Sequence, residues 1–198
     1  MTGVQTCALP IYKLLIEAYM LEGDVQQAKT VIWNNFKSSL AVEKYFEYLK
    51  LADESEKENA VKEALQLAKD SPRLANAFKF LQDLQEFDAI EQLYFAREEE
   101  VDGSDYSVYR KLSTELNKQG KSLIATLLRR KLVKDVLATA RSKSYKYAAS
   151  DLKLASDFAA HISDWKGYPT HADFLNQLRS QHARKMSFWS LINPDTHT

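Results

Sequence analysis

The sequence predicts an all-α protein, an array of antiparallel helical hairpins stacked as an α-solenoid. Three observations carry that expectation. Gly occurs 5 times and Pro 4 times in 198 residues, so breakers are scarce and loops are short. Leu, Ala, Lys and Glu are abundant, and these residues lose little on entering a helix. Apolar residues recur at i, i+3, i+4 and i+7, the period of a helix with one buried face.

The opening stretch, residues 1–11, is a poor helix former beside the rest of the chain, with Thr2, Gly3, Val4, Thr6 and Pro10 close together. Its run "TGVQTCALPI" resembles the translation of a short-read sequencing adapter. The expectation is a leader foreign to the fold, with the natural protein extending upstream of Tyr12. Cys7, the single cysteine, falls inside it and says nothing about chemistry.

From Tyr12 onward the helices can be placed one by one. Leu14, Leu15, Ala18, Tyr19 and Leu21 mark the first helix, which Gly23 stops and after which Asp24 caps the next. Ala28, Val31, Ile32 and Phe36 mark the second; Leu40, Tyr45, Tyr48, Leu49 and Ala52 the third. Ser55 and Glu58 have capping-box spacing at the start of the fourth, lined by Val61, Ala64, Leu65 and Ala68. Leu74, Ala77, Phe78, Leu81 and Leu84 line a fifth, and Ile90, Leu93 and Tyr94 a sixth. The loop at Asp102, Gly103, Ser104 and Asp105 precedes a helix carrying Tyr109, Leu112 and Leu116. A long helix with Leu123, Leu127, Leu128, Leu132, Val136 and Leu137 meets an antiparallel neighbour with Tyr145, Ala148, Leu152, Ala155 and Phe158. A last helix begins near His171. Four segments result: the leader 1–11, N-terminal repeats 12–101, C-terminal hairpins with a capping helix 102–192, and a disordered tail 193–198.

Formal charge is zero overall but polarised, at −7 over residues 1–100 and +7 over 101–198. Arg130, Lys134 and Arg141 fall roughly on one helix face, with Lys143 and Tyr147 beyond them and Arg184 and Lys185 near the end. These seven are the expected partner-binding residues, suited to an acidic peptide or to phosphate. Solvated helix faces are the plainer reading of the same charges. Gly23, Ala28, Tyr145, Ala148, Trp165, Gly167, His171, His182, Phe188 and Trp189 are expected to be structural: turns, close approaches, and an aromatic plug at the final repeat.

Chemistry is poorly signalled. His161, His171, His182 and His197 make no paired-ligand spacing, so no metal site and no cofactor are expected. The acidic runs at Glu54, Glu56, Glu58 and at Glu98, Glu99, Glu100 read as exposed helix ends rather than facing carboxylates. The serines lack a nucleophile-elbow setting, and the glycines are isolated. No run of 18 apolar residues is present, so no membrane span is expected.

Two hairpins resemble tetratricopeptide repeats: Tyr19, Gly23, Asp24 and Ala28, and again Tyr145, Ala148, Ala149, Leu152 and Ala155. No strict 34-residue period runs through the chain, so irregular repeats are the expectation. Residues 106–189 resemble the C-terminal region of an uncharacterised bacterial family, through "ATLLRRKLVKDVLATARSKSYKYAASDLKLA" and through His171, Phe174, Leu178, Arg179, His182, Arg184, Lys185, Phe188 and Trp189. The resemblance implies long tetratricopeptide-like arrays, some with a SWIM-type zinc finger upstream. The cysteine ligands of that finger are missing here, so zinc is not carried over. The leading expectation is a cytoplasmic, non-enzymatic scaffold for a protein or peptide partner. The alternative is a nucleic-acid accessory region using the basic face from Arg129 to Lys146, and a helical hydrolase ranks last.

Overall fold

The computed structural model describes residues 5–192. The first four residues of the expected leader and the tail 193–198, with His197, lie outside the described residues. Those described form eleven α-helices and no strand. The chain divides into two compact units between Glu86 and Phe87.

The first unit holds α1 (Gln5–Glu22), α2 (Val25–Ser39), α3 (Val42–Leu51), α4 (Glu54–Lys69) and α5 (Leu74–Asp83). α1 starts at Gln5, so part of the stretch expected to stay outside the helices is helical. Gly23 takes φ 78°, a left-handed conformation that favours glycine, and lets α1 turn into α2. Asp24 caps α2 by accepting from the Gln27 amide at 3.0 Å. Ile16 packs in a cluster with Ala28 and Ile32 of α2. Leu14 (65% exposed) and Leu21 (90%) do not join this core, contrary to expectation. α1 carries apolar residues on two faces, and α2 covers only the one holding Ile16 and Tyr19.

The cap of α4 also differs from expectation. Asp53 accepts from the Glu56 amide at 2.8 Å, and Glu56 Oε2 accepts from the Asp53 amide at 2.9 Å. The capping box is therefore Asp53 with Glu56, and Ser55 lies inside the helix. Phe36, Tyr45 and Phe80 form the aromatic centre of this unit, with ring centroids 5.2–5.5 Å apart.

The second unit holds α6 (Phe87–Ala96), α7 (Tyr106–Lys118), α8 (Ser122–Ala138), α9 (Tyr145–Ala159), α10 (His171–His182) and α11 (Met186–Trp189). It begins before α6 rather than at the 101/102 loop, because α6 is tied forward in the chain. Glu91 accepts from Lys121 at 2.6 Å and from Lys166 at 3.2 Å. Glu98, just beyond α6, accepts from the Tyr168 hydroxyl at 2.5 Å.

α8 is the hub. It packs against both α7 and α9, so residues on nearly every side of it are buried, from Ile124 and Leu128 to Leu132 and Leu137. At its C-terminal end Val133 and Leu137 join Tyr145, Ala148, Leu152, Phe174, Leu178 and Phe188 in one cluster. Phe188 is fully buried and meets Tyr145 edge-on at 5.8 Å. Trp189 is partly buried against the same cluster and donates Nε1–H to the His182 carbonyl at 2.9 Å.

Candidate functional site

The last turns of α8 and the first turns of α7 and α9 enclose a cleft of about 430 Å³. Its walls carry Tyr106, Arg110, Arg141, Ser144 and Tyr147 over a floor of Leu132 and Val136. The entry loop of α7 sits hard against α8 at Gly103. A Cβ there would lie 2.5 Å from the Asp135 Cβ, so only glycine permits the approach. Asp135 in turn is ion-paired with Arg141, whose Nε donates to Thr139 at 2.9 Å.

Beneath the cleft lies a charge network that joins three helices. Asp151 on α9 is 1% exposed. Arg129 of α8 donates Nη1–H to it at 2.5 Å, and Arg110 of α7 donates through Nε at 3.1 Å and Nη2 at 2.7 Å. Arg129 also donates to the Ser113 hydroxyl at 2.7 Å and the Arg110 carbonyl at 2.8 Å. Burial draws the Arg129 guanidinium below its ordinary range, and Asp151 opposes that shift. One carboxylate thus faces two guanidiniums, leaving a surplus positive charge. It reaches the cleft through Arg110, whose guanidinium lies 5.3 Å from each of the Tyr106 and Tyr147 rings. Both tyrosines are about half exposed. Ser144 makes no side-chain cap on α9, so the positive end of that helix dipole adds to the field.

The expected basic face is not continuous. Arg129 and Arg130 are buried at 5% and 4% exposure, because α8 is enclosed by its neighbours. Arg130 is therefore a core residue, a correction to its expected role at a surface. Its guanidinium sits 4.6 Å from both the Trp165 and Phe174 rings and donates Nη1–H to the Pro169 carbonyl at 2.8 Å. Its Nε and Nη2 have no hydrogen-bond partner among the described residues, and burial pulls the group down to about 10. Lys134 is exposed, with Nζ 5.6 Å from the Phe174 ring. Of the seven expected partner-binding residues, the cleft gathers Arg141 and Tyr147. Lys143 is exposed on the turn Ser142–Ser144, and Arg184 and Lys185 lie between α10 and α11.

The expected structural residues sit in and around the two cores. Ala28 and Ala148 are fully buried, and Tyr145 nearly so. Gly167 takes φ 82° in the segment that returns from α9 to α10. His171 and His182 are both held below the ordinary imidazole range by burial, with Arg130 and Lys185 adding to the shift respectively. Sequence reasoning missed Tyr106, Arg110 and Asp151. A signal was present: Tyr106 with Arg110, and Tyr147 with Asp151, are each four residues apart at the start of a helix, which puts each pair on one face. Among the described residues no group of three His, Cys, Asp or Glu side chains could hold a metal ion, and no helix is long and apolar enough to cross a membrane.

These features define an all-helical protein whose second unit carries a cleft walled by two tyrosines and two arginines. A family model described as a family of unknown function, DUF6880, matches residues 13–191, and the chain belongs to that family. No curated protein and no solved structure matches it.

Proposed function

We propose that this protein is a non-enzymatic helical-repeat scaffold that binds an acidic segment of a protein partner in the Tyr106–Arg110–Arg141–Tyr147 cleft. The observation that carries the reading is the charge balance of the network: Asp151 compensates only one of the two guanidiniums bound to it. Tyrosines beside an arginine supply rigid contact area at low entropic cost. The short helix connections and buried alanines support a tetratricopeptide-like arrangement. Residues 12–198 hold no cysteine, so no disulfide staples these helices, which fits a cytoplasmic setting.

The nucleic-acid alternative loses ground to the same geometry. Two of its arginines, Arg129 and Arg130, are buried. A phosphate backbone would find no continuous cationic stripe among the described residues.

The test is a fluorescence-anisotropy titration with labelled hexaglutamate, hexalysine and a single-stranded oligonucleotide at low and high salt. Hexaglutamate is expected to bind, to weaken with salt, and to lose about tenfold in affinity in Tyr147→Ala and Arg141→Glu. Equal binding of hexalysine, or indifference to both substitutions, would refute the assignment. Oligonucleotide binding that both substitutions abolish would transfer the cleft to the nucleic-acid reading.

A further inference from the structure

Arg130 is a buried charge that the rest of the fold leaves uncompensated. It is 4% exposed, on the side of α8 that faces the Trp165–Pro169 segment and α10. Its neighbour Arg129, as deeply buried, has an acceptor for each of its three nitrogens: Ser113, Asp151 and the Arg110 carbonyl. Arg130 has one, the Pro169 carbonyl, which accepts from Nη1 at 2.8 Å. Nε and Nη2 are buried and have no partner among the described residues. These two nitrogens share one edge of the guanidinium, the edge that grips a planar oxyanion with two parallel N–H bonds.

No protein group offsets this charge. Arg110 and Arg129 share Asp151, whereas no carboxylate among the described residues pairs with Arg130. The acidic group that bears on it is the Tyr94 phenol, and burial holds that phenol above its ordinary range and so neutral. Burial pulls the Arg130 guanidinium down only to about 10, so it stays charged at neutral pH. The Trp165 and Phe174 ring faces attract the charge but supply no lone pair to the N–H bonds of the open edge. Two more polar groups share its condition. His171, in the first turn of α10, lies 6.2 Å from the same Phe174 ring and feels the Arg130 charge, and its Nδ1 is buried without a partner. Thr126, one turn before Arg130 on the same face of α8, is fully buried with an unpartnered Oγ1.

We infer that the open edge of Arg130 holds a small monovalent anion, either a one-carbon carboxylate such as formate or bicarbonate or a halide. The anion accepts from Nε–H and Nη2–H and supplies the negative charge that the fold lacks beside this guanidinium. Its size follows from burial: both nitrogens are shut off from solvent, so the edge takes a small ion and excludes a peptide carboxylate or a nucleotide. Binding is tied to folding, because the unfolded chain has no enclosed edge to offer, and the ion is a structural component of the contact between α8 and α10. The site is separate from the acidic-segment cleft, whose arginines are Arg110 and Arg141.

The experiment is urea denaturation of the whole protein, followed by tryptophan fluorescence, at constant ionic strength with sodium gluconate as the balancing salt. Formate and chloride are raised in turn against gluconate, an anion too large for the site. Above its dissociation constant, each tenfold rise in the anion that binds is expected to multiply the folded-to-unfolded ratio about tenfold. The anion whose response begins at the lower concentration tells a planar oxyanion from a halide. Arg130→Met removes the charge and the edge at similar volume and is expected to abolish the response. A crystal of the unsubstituted protein soaked in sodium bromide is the second measurement, and it stands even where Arg130→Met fails to fold. An anomalous peak is expected within hydrogen-bond reach of Nε and Nη2. A flat response to both anions, a response that Arg130→Met keeps, or a water at that edge in place of bromide would each overturn the proposal.

Discussion

Asp151→Ala is the sharpest perturbation of the second unit. The carboxylate is 1% exposed and receives hydrogen bonds from Arg110 and Arg129, the latter itself 5% exposed. Removing it strands a buried guanidinium, and breaking a buried pair from one side costs about 3–5 kcal/mol. For a chain of this length each kcal/mol moves the midpoint by roughly 2–4 °C, so thermal unfolding is expected to fall by roughly 6–20 °C. Urea denaturation followed by far-ultraviolet circular dichroism supplies the free energy directly. The control is Arg129→Met/Asp151→Leu, which removes both buried charges and replaces them with apolar volume. It is expected to recover most of the loss, because the cost lies in the unpaired charge and not in the missing contact. A loss below about 1 kcal/mol for Asp151→Ala would mean that Arg129 finds other acceptors, and the network would then not be the clamp between α7, α8 and α9.

Three further perturbations have defined outcomes. Gly103→Ala drives a Cβ to within 2.5 Å of the Asp135 Cβ, so α7 must shift from α8; the expected cost is about 1–3 kcal/mol by urea denaturation. Phe188→Ala empties a fully buried site and is expected to cost about 3–5 kcal/mol, whereas Trp189→Ala, at a partly buried position, is expected to cost less; equal losses would contradict this ranking of the plug. Acidification gives the third. Burial depresses His171 and His182, so the unfolded chain takes up their protons first as pH falls. Their contribution is complete above the ordinary imidazole value of about 6.5 and is lost as pH falls below it toward the folded values. His171→Gln/His182→Gln is expected to flatten the fall in stability as pH drops below about 6.5. An unchanged slope would show that neither imidazole is buried as described.

The helices were legible because few breakers interrupt clear apolar periods, and the turns at Gly23 and Gly167 were visible as isolated glycines. The burial of α8 was not. A run such as Leu127, Leu128, Arg129, Arg130, Lys131 reads as one apolar and one charged face. In the folded chain α7 and α9 claim opposite sides of α8, and Arg129 and Arg130 go inside with partners from elsewhere. Those partners are 22 and 39 residues away, and no local pattern encodes them. α1 failed in the reverse sense. Its Leu14 and Leu21 have core chemistry, but the helix that α1 packs on covers its other side. The cleft was half visible: Arg141 and Tyr147 came from the charge run, while Tyr106 and Arg110 lie on a different helix and join them only through the fold.

The ties that close the second unit also set a schedule for its synthesis. Glu91 and Glu98 lie 75 and 70 residues before the Lys166 and Tyr168 side chains that reach them. A ribosome adding roughly 5–20 residues per second needs roughly 4–15 seconds to cover that distance. Through that wait α6 is made but not yet fastened at these points, and Lys121, some 30 residues on, can reach Glu91 in the meantime. The Glu91–Lys166 and Glu98–Tyr168 ties become possible only late in synthesis, whereas α8 and α9, neighbours in the chain, can pair as soon as both have emerged.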